Sequence, residues 1–159
     1  MALITRGKSL CPLCQRVLEA GDDIFGTWGV WLPRTDPLWQ FCDAAMHWPC
    51  YAQWEHQSGF ARSYFEAWVG SCESNPHWKP AYRDDLLLVT VNPAPPVEAA
   101  WVHLAATGTR HNPKLSAWAD WLHEGAGIVH PLEAAALEAA RRILRNQVPT
   151  ADALIARLA

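Results

Sequence analysis

Five cysteines stand at positions 11, 14, 42, 50 and 72, and the first two form the run Cys11-Pro12-Leu13-Cys14. A second cluster runs Cys42-Asp43-Ala44-Ala45-Met46-His47-Trp48-Pro49-Cys50, and within it His47 and Cys50 repeat the two-residue spacer. Such a spacer lets two side chains converge on one ion from a single tight turn, and two such pairs close a tetrahedral zinc shell. Cys11, Cys14, His47 and Cys50 are therefore the expected ligands of one structural Zn2+. Three thiolates around a divalent ion leave the site with about one net negative charge.

The same spacing allows other uses of these residues. Cys42 follows Phe41 and reads as a small buried apolar residue, although it could replace a ligand, most readily His47. Cys72 with His77 raises the question of a second metal, but no second close cysteine pair accompanies them. A redox use of Cys11-Pro12-Leu13-Cys14 would need a strand and a helix around it, and only ten residues precede it. An odd cysteine count with no apolar leader after Met1 points to a reducing, cytoplasmic setting rather than a disulfide scaffold.

The elements that must position the ligands are legible around them. Gly7-Lys8-Ser9 suits a turn before the first pair. Asp22 to Leu32 mixes β-branched, aromatic and Gly residues, as a twisted hairpin does. Pro49 suits the first turn of a helix, which would run through Tyr51, Trp54 and His56 and stop at Ser58-Gly59. Knuckle, hairpin and helix in that order resemble the treble-clef zinc fingers, the group that includes LIM-like and RING-like modules. The resemblance covers about residues 8–58. It implies knuckle ligands at Cys11 and Cys14 and helix-start ligands at His47 and Cys50. A cross-braced RING needs eight ligands, which this chain does not supply in pairs.

Beyond the zinc region, Phe60, Tyr64, Phe65, Trp68 and Val69 recur at helical spacing, ending at Gly70. Ser71 to Asp85 reads as a loop, Leu86 to Val91 as a buried strand, and Asn92-Pro93-Ala94-Pro95-Pro96 as its stop. Val97 to Ala106 alternates as a second strand, with Trp101, His103 and Ala105 on one face and Val102 and Leu104 on the other, although a helix is also compatible. Leu115 to Leu122 reads as a short helix. Pro131 opens a longer one with Arg141, Arg142 and Arg145 near its end. Thr150 caps a last short helix. The expectation is an α+β fold: residues 1–80 form a zinc-binding treble-clef-like region, and residues 81–159 a short sheet with C-terminal helices, packed as one unit.

Composition narrows the function. Hydrophobic residues make up 50% and charged residues 18%, a globular balance, and the net charge is −3. Bulk charge therefore argues against a strongly basic nucleic-acid binder. No apolar run approaches the roughly 20 residues a membrane helix needs. The histidines outside the zinc set show no shared motif and read as surface or satisfied core residues. Neither a Gly-x-Ser-x-Gly elbow nor a phosphate-binding Gly-rich loop occurs, and His47 lacks the Glu a zinc deaminase requires. Ten tryptophans stand against three tyrosines. Trp54, Trp68, Trp101 and Trp118 suit the core, while Trp28, Trp31 and Trp48 near the zinc are candidate partner-binding rings. These features point to a non-catalytic zinc module that binds another protein, an accessory or adaptor whose Arg-over-Lys, Ala-rich composition suits a GC-rich bacterium. An HNH-like metal-dependent nuclease and a RING-like adaptor of a ubiquitin-like conjugation pathway are the alternatives.

Overall fold

The computed structural model describes residues 4–27, 29, 32–75, 77–125, 127 and 129–158. In chain order its strands are β1 (Ile24–Gly26), β2 (Ala45–His47), β3 (Lys79–Arg83), β4 (Leu87–Val91), β5 (Ala100–Leu104) and β6 (Arg110–His111). Its helices are α1 (Trp48–Gln53), α2 (Gln57–Ser74), α3 (Trp118–His123), α4 (Pro131–Gln147) and α5 (Ala151–Ile155), with short 3-10 turns at Pro37–Phe41, Leu115–Ala117 and Ala156–Leu158. The fold is mixed α and β, with β1 and β2 forming one antiparallel sheet and β3-β4-β5-β6 a second.

Of the run Leu86 to Val91 expected as a buried strand, Leu87–Val91 form β4, central and buried on both faces, whereas Leu86 stays exposed ahead of it. Leu87, Val89 and Val91 join Ala100, Val102 and Leu104 in one core with Trp118, Leu122, Leu137, Ala140, Leu144 and Leu154 from the C-terminal helices. On the other face Leu88 and Ala105 pack against Phe65, Trp68, Val69 and Cys72 of α2. The two-faced alternation expected of the second strand is therefore present in β5. A third core joins Phe25, Met46, Trp48 and Tyr51 to Phe60 and Tyr64 at the front of α2. One helix thus serves two cores, its front turns facing the N-terminal region and its rear turns facing the sheet.

Side-chain bonds fasten the same junction. The Tyr51 hydroxyl donates to the Thr107 carbonyl at 2.8 Å, and Gln57 Nε2 donates to the Ala106 carbonyl at 3.0 Å. Gly108 turns the chain here with φ +70°, and a Cβ on it would lie 3.5 Å from the Ala61 Cα. Only glycine adopts that backbone conformation without strain.

Several sequence expectations need correction. Ile24–Gly26 does not pair within 22–32 but across to Ala45–His47. Buried Thr27 closes that connection: its hydroxyl donates to the Phe41 carbonyl at 2.9 Å and accepts from the Ala44 N–H at 2.9 Å. The first helix ends earlier than expected, at Gln53, because Trp54 turns extended (ψ 127°). Ser58-Gly59 then falls in the first turn of α2 instead of ending α1. Gly70 does not end α2, which continues to Ser74 so that Cys72 reaches the sheet. The expected loop 71–85 contains β3. It pairs with β4 and lies at the sheet edge, where Pro80 removes no ladder bond, and its register shifts between Pro80 and Tyr82.

The C-terminal helices follow the sequence closely. The Thr150 hydroxyl accepts from the Ala153 N–H at 3.1 Å, the expected cap. Arg141 and Arg145 do more than complement a helix dipole. Arg141 Nη1 donates to the Glu124 carbonyl at 2.8 Å and Arg145 Nη1 to that of Leu122 at 2.8 Å, which ties α4 to the end of α3. No helix among the described residues is long and apolar enough to cross a membrane.

Candidate metal centre

The first pair of ligands sits on a knuckle built by backbone bonds. Leu10 and Val17 bridge antiparallel, the Cys11 N–H donates to the Arg16 carbonyl at 2.9 Å, and the Gln15 N–H donates to the Cys11 carbonyl at 2.8 Å. Gln15 takes φ 59°, and this left-handed residue tightens the loop so that Cys11 and Cys14 point the same way. The second pair arrives from a different route. His47 is the last residue of β2, and Cys50 lies in the first turn of α1, next to Pro49, which needs no N–H partner there. Pairing of β1 with β2 sets where that turn begins.

These elements bring together all four expected ligands. Cys11 Sγ, Cys14 Sγ, Cys50 Sγ and a ring nitrogen of His47 lie within 4.8 Å of one another and could hold one metal ion. His47 Nδ1 is 3.4 Å from Cys14 Sγ and 3.9 Å from Cys50 Sγ. A tetrahedral ion at ordinary Zn–S and Zn–N distances places such atoms about 3.6 Å apart, so the donors fit the group. Cys11 is fully buried and Cys14 and Cys50 are half-buried.

The electrostatics of the cluster favour a cation at its centre. Burial opposes the Cys14 thiolate, but the Arg16 backbone N–H and guanidinium, with the neighbouring thiols, bring it down to about 6. Burial and the two neighbouring sulfurs push Cys50 up to about 11. Crowded thiols that cannot all ionise alone can do so around a divalent ion.

One contributor escaped the sequence. Asp22 Oδ2 lies 3.0 Å from His47 Nε2, on the far side of the ring from the thiols, and accepts the Glu19 N–H at 2.7 Å. That backbone bond, against mild desolvation and with help from His47, holds the Asp22 carboxyl below its ordinary range. A carboxylate on the second nitrogen fixes the imidazole tautomer and leaves Nδ1 for the metal. Residues 22 and 47 are joined only by strand pairing, so no spacing rule links them.

The other candidate residues fall elsewhere. Cys42 is buried among Phe25, Met46 and Tyr51, as expected, and is outside the four-donor group. Cys72 packs between α2 and the sheet while His77 is exposed, and among the described residues they form no second metal group. Trp28 and Trp31 lie outside the described residues. Trp48, expected as a surface ring, is only 7% exposed. It packs 5.0 Å from Phe25 and stacks on His130, because the helix start that delivers Cys50 also turns Trp48 inward. Trp68 and Trp118 are buried as expected, whereas Trp54 and Trp101 are half-buried. His111 is satisfied by buried Glu133 at 2.5 Å, whose other oxygen accepts from the Thr109 hydroxyl at 2.8 Å. His103 is buried against Trp68, yet among the described residues its Nε2 has no hydrogen-bond partner. Comparisons with protein-family models, curated proteins and solved structures find no match to this chain.

Proposed function

We propose that this chain is a treble-clef-like module held by one structural zinc ion, and that it acts by binding another protein rather than by catalysis. The observation that carries this reading is the donor set itself. Three thiols and His47 Nδ1 supply four protein donors at fitting distances, which is the shell of a structural site with no position kept for water. Bound zinc would cross-link the 10–17 knuckle to the start of α1. In that role His47 cannot also serve as the base of an HNH-like nuclease, and a single four-donor group suits one zinc rather than the two of a RING.

Further support comes from charge. The net charge is −3, and two of the three clustered arginines, Arg141 and Arg145, are bonded to the carbonyls of Glu124 and Leu122, which leaves them less free to meet a phosphate backbone. Five free cysteines suit a reducing cytoplasmic setting.

Elemental analysis of the purified chain is expected to give about one zinc per molecule, and Cys14→Ser is expected to release it. A folded protein that carries no metal overturns the zinc reading. Cleavage of DNA or RNA that disappears in a His47→Ala variant overturns the non-catalytic one.

A further inference from the structure

We infer that the open edge of β1 is a docking edge for an extended segment of another protein, taken up as an added strand with a Lys or Arg side chain against Asp23. This rests on the interaction-module reading above and gives it a surface and a partner chemistry.

The hydrogen-bond pattern identifies the edge. The Trp48 N–H donates to the Asp23 carbonyl and the Thr27 N–H to the Ala44 carbonyl, each at 2.9 Å. In an antiparallel ladder residues alternate between facing the partner strand and facing away. Asp23, Phe25 and Thr27 therefore face β2, and the backbone N–H and C=O groups of Ile24 and Gly26 face outward. Among the described residues these groups have no backbone partner, and unpaired strand edges of this kind are templates for another chain.

Space and charge define the occupant. A groove of about 390 Å³ runs along this edge, walled by Asp23, Gly26, Trp48, Thr109, Val129 and Glu133 among others. Gly26 is exposed, and a Cβ built on it meets no atom within 4 Å. The far wall is set before any partner arrives: Glu133 is held by His111 and Thr109, and Trp48 is clamped between Phe25 and His130. A preformed wall reduces the ordering cost of binding. Both Glu133 oxygens are engaged, whereas exposed Asp23 makes no side-chain hydrogen bond or ion pair among the described residues. The Arg110 guanidinium lies over the Trp101 ring at 3.7 Å. Arg110 lines the same groove and keeps its charge, so two carboxylates, Asp23 and Glu133, stand against one guanidinium; the lining is net negative, and a basic side chain complements it.

The probe is a library of random peptides about twelve residues long, displayed on phage and selected on the zinc-loaded full chain. Enriched peptides are expected to carry β-branched residues with a Lys or Arg. On binding, amide exchange at Ile24 and Gly26 should slow about tenfold or more, while Phe25, already in the ladder, should change little. Methylating alternate peptide nitrogens should weaken binding about tenfold, and Gly26→Trp, which fills open space, should do the same without lowering zinc content. Asp23→Lys should remove the preference for basic residues. The inference is overturned if no peptide is enriched, if methylation is tolerated at every position, or if Gly26→Trp binds as well as the parent chain. Binding that survives Gly26→Trp leaves the interaction-module reading standing, and the zinc content of the same samples tests the metal reading separately.

Discussion

The two halves of this molecule are stabilised by different means. Between residues 8 and 56 regular structure among the described residues is sparse: two three-residue strands, a six-residue helix, the five-residue 3-10 turn Pro37–Phe41 and a knuckle. These pieces meet at a four-donor cluster that could hold a metal ion and at an aromatic stack in which the Phe25 and Tyr51 ring centroids lie 3.7 Å apart. From residue 79 onward the sheet and its helices bury a continuous aliphatic core, with Leu87, Val89, Val91, Ala100, Val102 and Leu144 all fully buried. A small region with little aliphatic burial needs a staple, whereas a sheet covered by helices does not.

Breaking the staple is the largest test of this contrast. Structural zinc contributes on the order of 10–16 kcal/mol to small zinc folds, so chelation is expected to unfold the N-terminal region. Amide exchange should then rise at Phe25 and Met46 while Val89 and Val102 stay protected. Uniform loss of protection would mean that the regions are one cooperative unit. The reciprocal change is Leu144→Ala, a cavity in the second core. It is expected to cost about 2–5 kcal/mol in chemical denaturation and to leave zinc stoichiometry unaltered.

Asp22→Asn sharpens the metal side. It keeps the shape but loses the carboxylate on His47 Nε2, so zinc affinity should fall about 10–100-fold in a chelator competition, with the fold retained. On the sheet side the probe is pH. Burial, reinforced by the Arg110 cation, depresses the His103 pKa well below the ordinary histidine value. The unfolded chain protonates His103 as pH falls through about 6.5 while the folded chain does not, so this group's stabilisation is present above that pH and lost below it. The sheet core is expected to weaken on acidification toward pH 5, and His103→Phe should flatten that dependence in denaturation curves. The mildest change is Thr150→Ala, which removes the cap on α5 and is expected to cost about 1 kcal/mol in denaturant unfolding.

How much of this was legible beforehand depended on the range of the signal. Cys11 and Cys14, like His47 and Cys50, advertise themselves by a two-residue spacer, because one turn delivers both members of each pair. The aliphatic run at 87–91, Pro131 and Thr150 speak for themselves through equally local chemistry. Asp22 did not, since its role exists only because β1 pairs with β2. The strand at Lys79–Arg83 was hidden by Pro80, which is tolerated only because the strand lies at an edge, and edge position is a property of the sheet rather than of the segment. Trp48 shows the same limit. Its neighbour Cys50 pointed to a metal, but whether the ring faced a partner or the core depended on Phe25 and His130, distant in sequence.

By itself, then, the sequence determined the donor types, their paired spacing, the mixed α and β character and the caps and turns of the C-terminal helices. These follow from backbone geometry and side-chain chemistry acting over a few residues. Only the tertiary structure decided that the two pairs of donors meet, that Asp22 lies against His47, that α2 serves two cores and that the outer edge of β1 has no partner strand among the described residues. Each of those depends on contacts between residues far apart in the chain, and burial and strand pairing are set by the whole fold.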